Sequence, residues 1–131
     1  MAAIGRSILF AAVICAAQPE DVIQFLRSAA TALADAHQNG AREFLDRFDP
    51  AMPDYEKFRG YVEALTARVE VGSAIEIVSD SGDDQRRKLE LDWLLEIQDQ
   101  RPRRQIVKCT IEKRGKKWKF TSIEPVEFFK Y

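Results

Sequence analysis

The chain of 131 residues has one histidine, two cysteines and a formal net charge of only -1. Each shortage narrows the field. Twenty basic residues against 21 acidic ones leave no cationic excess for a nucleic-acid backbone or an anionic membrane to meet, so neither is an expected partner. No apolar run is long enough to cross a bilayer as a helix. The longest, Ser7 to Ala17, holds eleven residues, where about twenty are needed, so no stable membrane span is expected in the mature chain. Six glycines and five prolines leave no low-complexity tract, and no segment repeats. What is present is the composition of one globular domain, 46% hydrophobic and 31% charged, able to bury roughly two-thirds of its unfolded surface without a metal, a disulfide or a cofactor.

The amino terminus departs from that pattern. Arg6 precedes the apolar run, and small residues stand at Cys15 and Ala17, the arrangement of a secretory signal peptide over residues 1–17, cleaved before Gln18. The expectation is a mature domain of residues 18–131, exported to the periplasm or the medium. If residues 1–17 are not a signal, the chain is cytoplasmic. Ile14 is branched where lipidation of Cys15 would want a small residue. Cleavage would leave Cys109 as the sole cysteine, and no intramolecular disulfide could form.

Three helices are expected next. Pro19, Glu20 and Asp21 open the first with a proline in the first turn and negative charge at the positive end of its dipole. Val22, Phe25, Leu26, Ala29, Ala30, Leu33 and Ala36 make one apolar face, and Asn39-Gly40 closes it. A second helix over 41–48 buries Phe44, Leu45 and Phe48 before the stiff Pro50 to Pro53 elbow. Asp54 caps a third, with Tyr55, Phe58, Tyr61, Val62 and Leu65 as its stripe and an end near Arg68.

The rest of the chain reads as strands. Lys88 to Ile97 alternates Leu89, Leu91, Trp93, Leu95 and Ile97 with Lys88, Glu90, Asp92 and Glu96, the period of a half-buried strand. Gln105 to Ile111 and Trp118 to Ile123 continue from it as one antiparallel meander, the last two joined by a tight turn through Lys113-Arg114-Gly115-Lys116. A first strand places Val69, Val71, Ile75 and Ile77 on one face, with a bulge at Gly72-Ser73 and a turn over Ser79 to Asp84. Segregated helices and an antiparallel meander make the fold class α+β.

The broken helix pair around Asn39-Gly40, the strand ending Asp92-Trp-Leu-Leu-Glu-Ile97 and the closing Gly115-Lys-Lys-Trp-Lys-Phe-Thr-Ser-Ile-Glu-Pro125 with Val126-Glu-Phe-Phe129 together resemble the nuclear transport factor 2-like superfamily, which includes SnoaL-like and ketosteroid isomerase-like proteins. The resemblance runs from about residue 20 to Phe129. It implies N-terminal helices packed on a curved four-stranded antiparallel sheet, a cone-shaped, cystatin-like roll with a pocket between helices and sheet. It also implies frequent dimerisation through the outer sheet face, and a family divided between non-catalytic binders and dehydratases, isomerases, cyclases and epoxide hydrolases whose chemistry rests on acids held inside the cone.

Strand parity assigns Val, Ile, Leu, Trp, Phe and Cys to the inside, and Glu90 and Asp92 to the outside, so no catalytic set emerges. The expected function is binding of a small apolar or amphipathic molecule, unless the pocket is filled and serves as core. The alternatives are a dehydratase, isomerase or cyclase, or a non-catalytic homodimeric interaction module. The candidate ligand-binding residues are His37, Tyr55, Tyr61, Trp93 and Trp118. The thiol of Cys109, mid-strand and buried, is expected to be inert. Asp80, Asp83 and Asp84 lack calcium-loop spacing and face a cluster of basic residues from Arg86 to Lys117, so no metal site is expected and mutual charge compensation is. Val78, Leu94 and Ile106 fall on the polar parity, which suggests a dimer interface on the outer face.

Overall fold

A computed structural model describes residues 19–131; the signal peptide expected over residues 1–17 and the expected cleavage before Gln18 lie outside the described residues. Helix α1 (Glu20–Ala34) is followed by the short α2 (Ala36–Asn39) and α3 (Arg42–Leu45), then α4 (Tyr55–Arg68). Strands β1 (Val71–Gly82), β2 (Arg86–Ile97), β3 (Arg103–Arg114) and β4 (Lys117–Glu124) form one antiparallel sheet in the order β1-β2-β3-β4, and a 3-10 turn (Val126–Phe129) ends the fold. The α+β class, with helices on one face of an antiparallel meander, is the one the periodicity predicts.

Register explains the packing. Leu89 pairs with Cys109 and Leu91 with Val107, and directly paired residues share a face. That face carries Leu89, Leu91, Trp93, Leu95, Val107, Cys109, Ile111, Trp118, Phe120 and Ile123, all buried. Val22, Leu26, Ala29 and Leu33 from α1 and Phe58, Val62 and Leu65 from α4 cover it. Between β3 and β4 the turn closes on Gly115, whose φ of 69° is the left-handed conformation that a tight hairpin needs and that glycine adopts without strain.

Four local expectations are corrected. The bulge of β1 falls between Ile77 and Ser79, not at Gly72-Ser73; Gly72 pairs regularly with Glu96. Residues 79–82 continue the strand, and the turn is confined to the residues just before Arg86, where the Asp83 carboxylate accepts from the backbone N–H groups of Gln85 and Arg86. The second helix stops at Leu45, because Phe48 leaves it to bridge Phe120: Asp49 N–H donates to the Phe120 carbonyl and Phe120 N–H to the Arg47 carbonyl, both at 2.8 Å. Hydrogen bonds to the free edge of β4 outcompete another helical turn. Finally, Asp54 precedes α4 with a φ of 58° and makes no side-chain cap bond; its short polar side chain tolerates the left-handed conformation, and that is its role there.

Candidate functional site

The space between helices and sheet, where an apolar pocket is expected, is filled with aromatic rings. Phe44 lies 5.1 Å from Phe48, 6.2 Å from Phe58 and 6.2 Å from Phe129, centroid to centroid. Phe48 stacks on Phe120 at 4.5 Å. Trp93 meets Phe44 and Phe129 edge-on at 6.3 and 5.1 Å, geometries that aromatic pairs favour. Trp93 is fully buried, and its indole Nε1–H donates to Ser73 Oγ at 2.9 Å, so the polar end of this ring is satisfied by the protein itself. Cys109 is buried and free, and burial drives its thiol far above the usual range, where no thiolate nucleophile is available.

One acid reaches the inner face, and parity alone misses it. The slip at Val78 puts Asp80 opposite Leu89, on the core side, where its Oδ1 accepts from Arg87 Nε at 2.9 Å. The two side chains are only 5% and 12% exposed, and Asp80 Oδ2 has no hydrogen-bond partner among the described residues. The doublet Arg86-Arg87 next to the acidic turn is the signal in the sequence. The pair sits at the turn end of the sheet, away from the ring cluster around Trp93, and realises the expected charge compensation in one buried contact.

Two of the candidate residues meet outside the core. His37 on α2 and Tyr55 at the start of α4 line an open cleft of about 520 Å³ together with Ala41, Leu45 and Thr66. His37 Nδ1 lies 2.8 Å from the Thr66 carbonyl oxygen. A carbonyl only accepts, so Nδ1 carries a proton, and in the neutral tautomer that does so Nε2 is the acceptor. Tyr55 is half-buried, and burial raises the pKa of its hydroxyl. Tyr61 stands elsewhere on α4, beneath the Lys130 ammonium at 6.0 Å. Trp118 lines a separate cleft at the β4 edge.

The outer sheet face has a different character. Val78 is 56% exposed and Ile106 45%. Ile106 is paired with Asp92, whose carboxylate takes two hydrogen bonds from Arg104, at 2.9 and 2.6 Å. Leu94, half-buried, is paired with Arg104. Among the described residues no group of three or more His, Cys, Asp or Glu could hold a metal ion, and no helix is long and apolar enough to cross a membrane.

No protein-family model and no curated protein matches the chain. Solved structures do. Bd1075 of Bdellovibrio bacteriovorus superposes with a TM-score of 0.69 at 12% identity, covering 80% of this chain and 38% of that one, so the chain spans well under half of that protein. A candidate scytalone dehydratase from Novosphingobium aromaticivorans gives a TM-score of 0.60 at 12% identity, over 79% of this chain and 78% of the other. An NTF-2 like protein of unknown function from Shewanella oneidensis gives 0.57 at 10% identity, over 79% and 94%. The chain thus has the nuclear transport factor 2-like fold. Folds of this kind host unrelated activities, so the fold by itself assigns none.

Proposed function

We propose that this chain is an exported, non-catalytic binding domain that works as a homodimer joined through the outer face of its sheet. The observation that carries the reading is that the sheet has a complete aromatic core on one side while Val78 and Ile106 remain exposed on the other. Branched apolar side chains on an otherwise charged strand surface are a cost in water that a partner would remove. A second copy suits the face because a twofold axis lays the same patch on itself, and the paired Asp92 and Arg104 give that patch both signs of charge. Non-catalytic action is supported by the chemistry of the interior: an acid–base enzyme on this scaffold needs a titratable group lining its pocket, and here rings pack around Trp93 while the inner-face acid Asp80 is paired with Arg87 at the turn end of the sheet. Export rests on Arg6 and the apolar run after it.

The test is the native mass of the chain by sedimentation at tens of micromolar, beside a Val78→Lys/Ile106→Lys variant. The wild type is expected to sediment as a dimer and the variant as a monomer with nearly unchanged unfolding. A monomeric wild type would overturn the reading.

A second reading has its own observation. The His37–Tyr55 cleft offers an acceptor, a hydroxyl and apolar walls of Ala41 and Leu45, which suits a small amphipathic molecule. Thermal unfolding against a panel of such compounds checks it: a ligand at about 100 times its Kd adds roughly 2.7 kcal/mol, and a His37→Ala variant should lose that gain.

A further inference from the structure

The cleft at the β4 edge combines features that neither reading uses. It encloses about 700 Å³ between α1, residues 46–47 and the β3–β4 hairpin, and its walls include Phe25, Trp118, Arg47, Lys116, Lys117 and Lys119. Phe25 is half-buried, its ring 5.0 Å from Phe120, and supplies an apolar floor continuous with the core. Among the described residues none of the four cations around that floor forms a direct ion pair, although Lys119 is near enough to help lower the pKa of Asp49. Arg47 is spread between Ser28 Oγ, at 3.1 Å, and the Glu43 carbonyl, and Lys119 Nζ donates to the Asp46 carbonyl. Lys116 and Lys117 are exposed at the hairpin.

Two acids also line the cleft, and both are engaged. Asp21 accepts from the Trp118 indole at 2.9 Å and lies 3.3 Å from Lys113 Nζ, while Asp46 is 3.9 Å from Arg42 Nε. The cleft is left with a positive surplus beside an aromatic surface. The Glu43 and Asp46 carbonyls accept from Arg47 and Lys119 at the wall of the cleft.

We propose that this cleft binds a small amphipathic carboxylate, its aromatic or apolar body on Phe25 beside Trp118 and its acid group among Arg47, Lys116, Lys117 and Lys119. The charge would bring selectivity for an acid over the matching alcohol, and the floor would bring selectivity for a ring-bearing acid over a bare one. The site is independent of the proposed dimer, since Val78 and Ile106 take no part in it, and a monomeric chain would leave it standing.

Calorimetric titration tests it with three probes: 1-naphthoate, the neutral 1-naphthalenemethanol, and acetate. Naphthoate is expected to bind at least tenfold more tightly than either of the others and to weaken as salt is raised, because the contact is partly screened. A Lys116→Gln/Lys117→Gln variant, altered only at exposed hairpin positions, should weaken naphthoate about tenfold, and Phe25→Ala should bring naphthoate down to the level of acetate. No binding of naphthoate, equal binding of the alcohol or of acetate, or a lysine variant that binds as the wild type does would each overturn the proposal.

Discussion

Trp118 donates its indole Nε1–H to Asp21 Oδ2 at 2.9 Å, tying β4 to the first turn of α1 across 97 positions of sequence. Lys113 completes the contact, its ammonium 3.3 Å from the same oxygen and 5.1 Å from the centre of the indole ring. The helix is thereby pinned at its amino end, where the dipole already favours the Asp21 carboxylate, to the hairpin that closes the sheet. The same bond orients the wall of the β4-edge cleft.

Removing this pin should be measurable. A hydrogen bond to a charged group contributes about 1.5–3 kcal/mol, but the Asp21 side chain is about half exposed, and solvent screening brings the expectation to about 1 kcal/mol. Asp21→Ala should therefore lower the unfolding temperature by about 4 °C. In a double-mutant cycle, Trp118→Phe should add less in the Asp21→Ala background than alone; strict additivity would mean that the contact is idle.

The ring cluster should respond far more strongly. Phe58 is fully buried, 4.5 Å from Phe48 and 5.2 Å from Phe129. Phe58→Ala leaves a cavity that rigid neighbours cannot close, with an expected loss of about 3–5 kcal/mol. Denaturant unfolding of the variant measures it, and a loss below about 1 kcal/mol would show that the interior is loose enough to collapse.

Acid should destabilise the fold in a defined window. The Trp118 indole lowers the pKa of Asp21, the Ala51 N–H and then Arg114 lower that of Asp49, Arg104 lowers that of Asp92, and Arg114 lowers that of Glu112. A carboxylate with a depressed folded pKa stabilises the fold fully above its unfolded value, near pH 4, and loses that contribution as pH falls through the folded value. The unfolding temperature is expected to be level from about pH 8 to about pH 5 and to drop below about pH 4. Asp92→Asn should shallow the drop; an unchanged profile would remove Asp92 from the account.

Cys109 gives a probe of the intact core. Burial raises its pKa far beyond neutrality, so in a Cys15→Ser chain a thiol reagent at about pH 8 should label no site in buffer and one in denaturant, read by mass. Rapid labelling of the folded chain would mean that β3 opens locally.

Much of the fold was legible because a strand with one buried face must alternate. Leu89 through Ile97 declare their inner face by period, and the outer exposure of Val78 and Ile106 agrees with the same parity; in β4 the period holds for Trp118 and Phe120 only, because a register shift opposite Thr110 and Ile111 turns Ile123 inward. The charge compensation of Asp80 by the Arg86-Arg87 doublet was legible but its burial was not, since a single unpaired residue at Val78 reverses the parity of the residues after it, and where a bulge falls depends on pairing with β2. The end of α3 was hidden for a similar reason: Phe48 exchanges a helical turn for the edge of β4, a partner far along the chain.

The candidate site divides along the same line. His37 and Tyr55 were each visible as polar groups on the margin of an apolar stripe, yet only the packing of α2 against α4 brings them to one cleft. Trp93 carried the same marks as a pocket residue and is instead the centre of the core. What the sequence by itself determined is the class of fold and the side on which most strand residues lie, because both are local consequences of chain geometry and of the aversion of apolar groups to water. Whether the cone is hollow or full was decided only by the tertiary structure. It depends on how rings from α3, α4, β2, β4 and the closing 3-10 turn add up in one volume, and no local pattern records that sum.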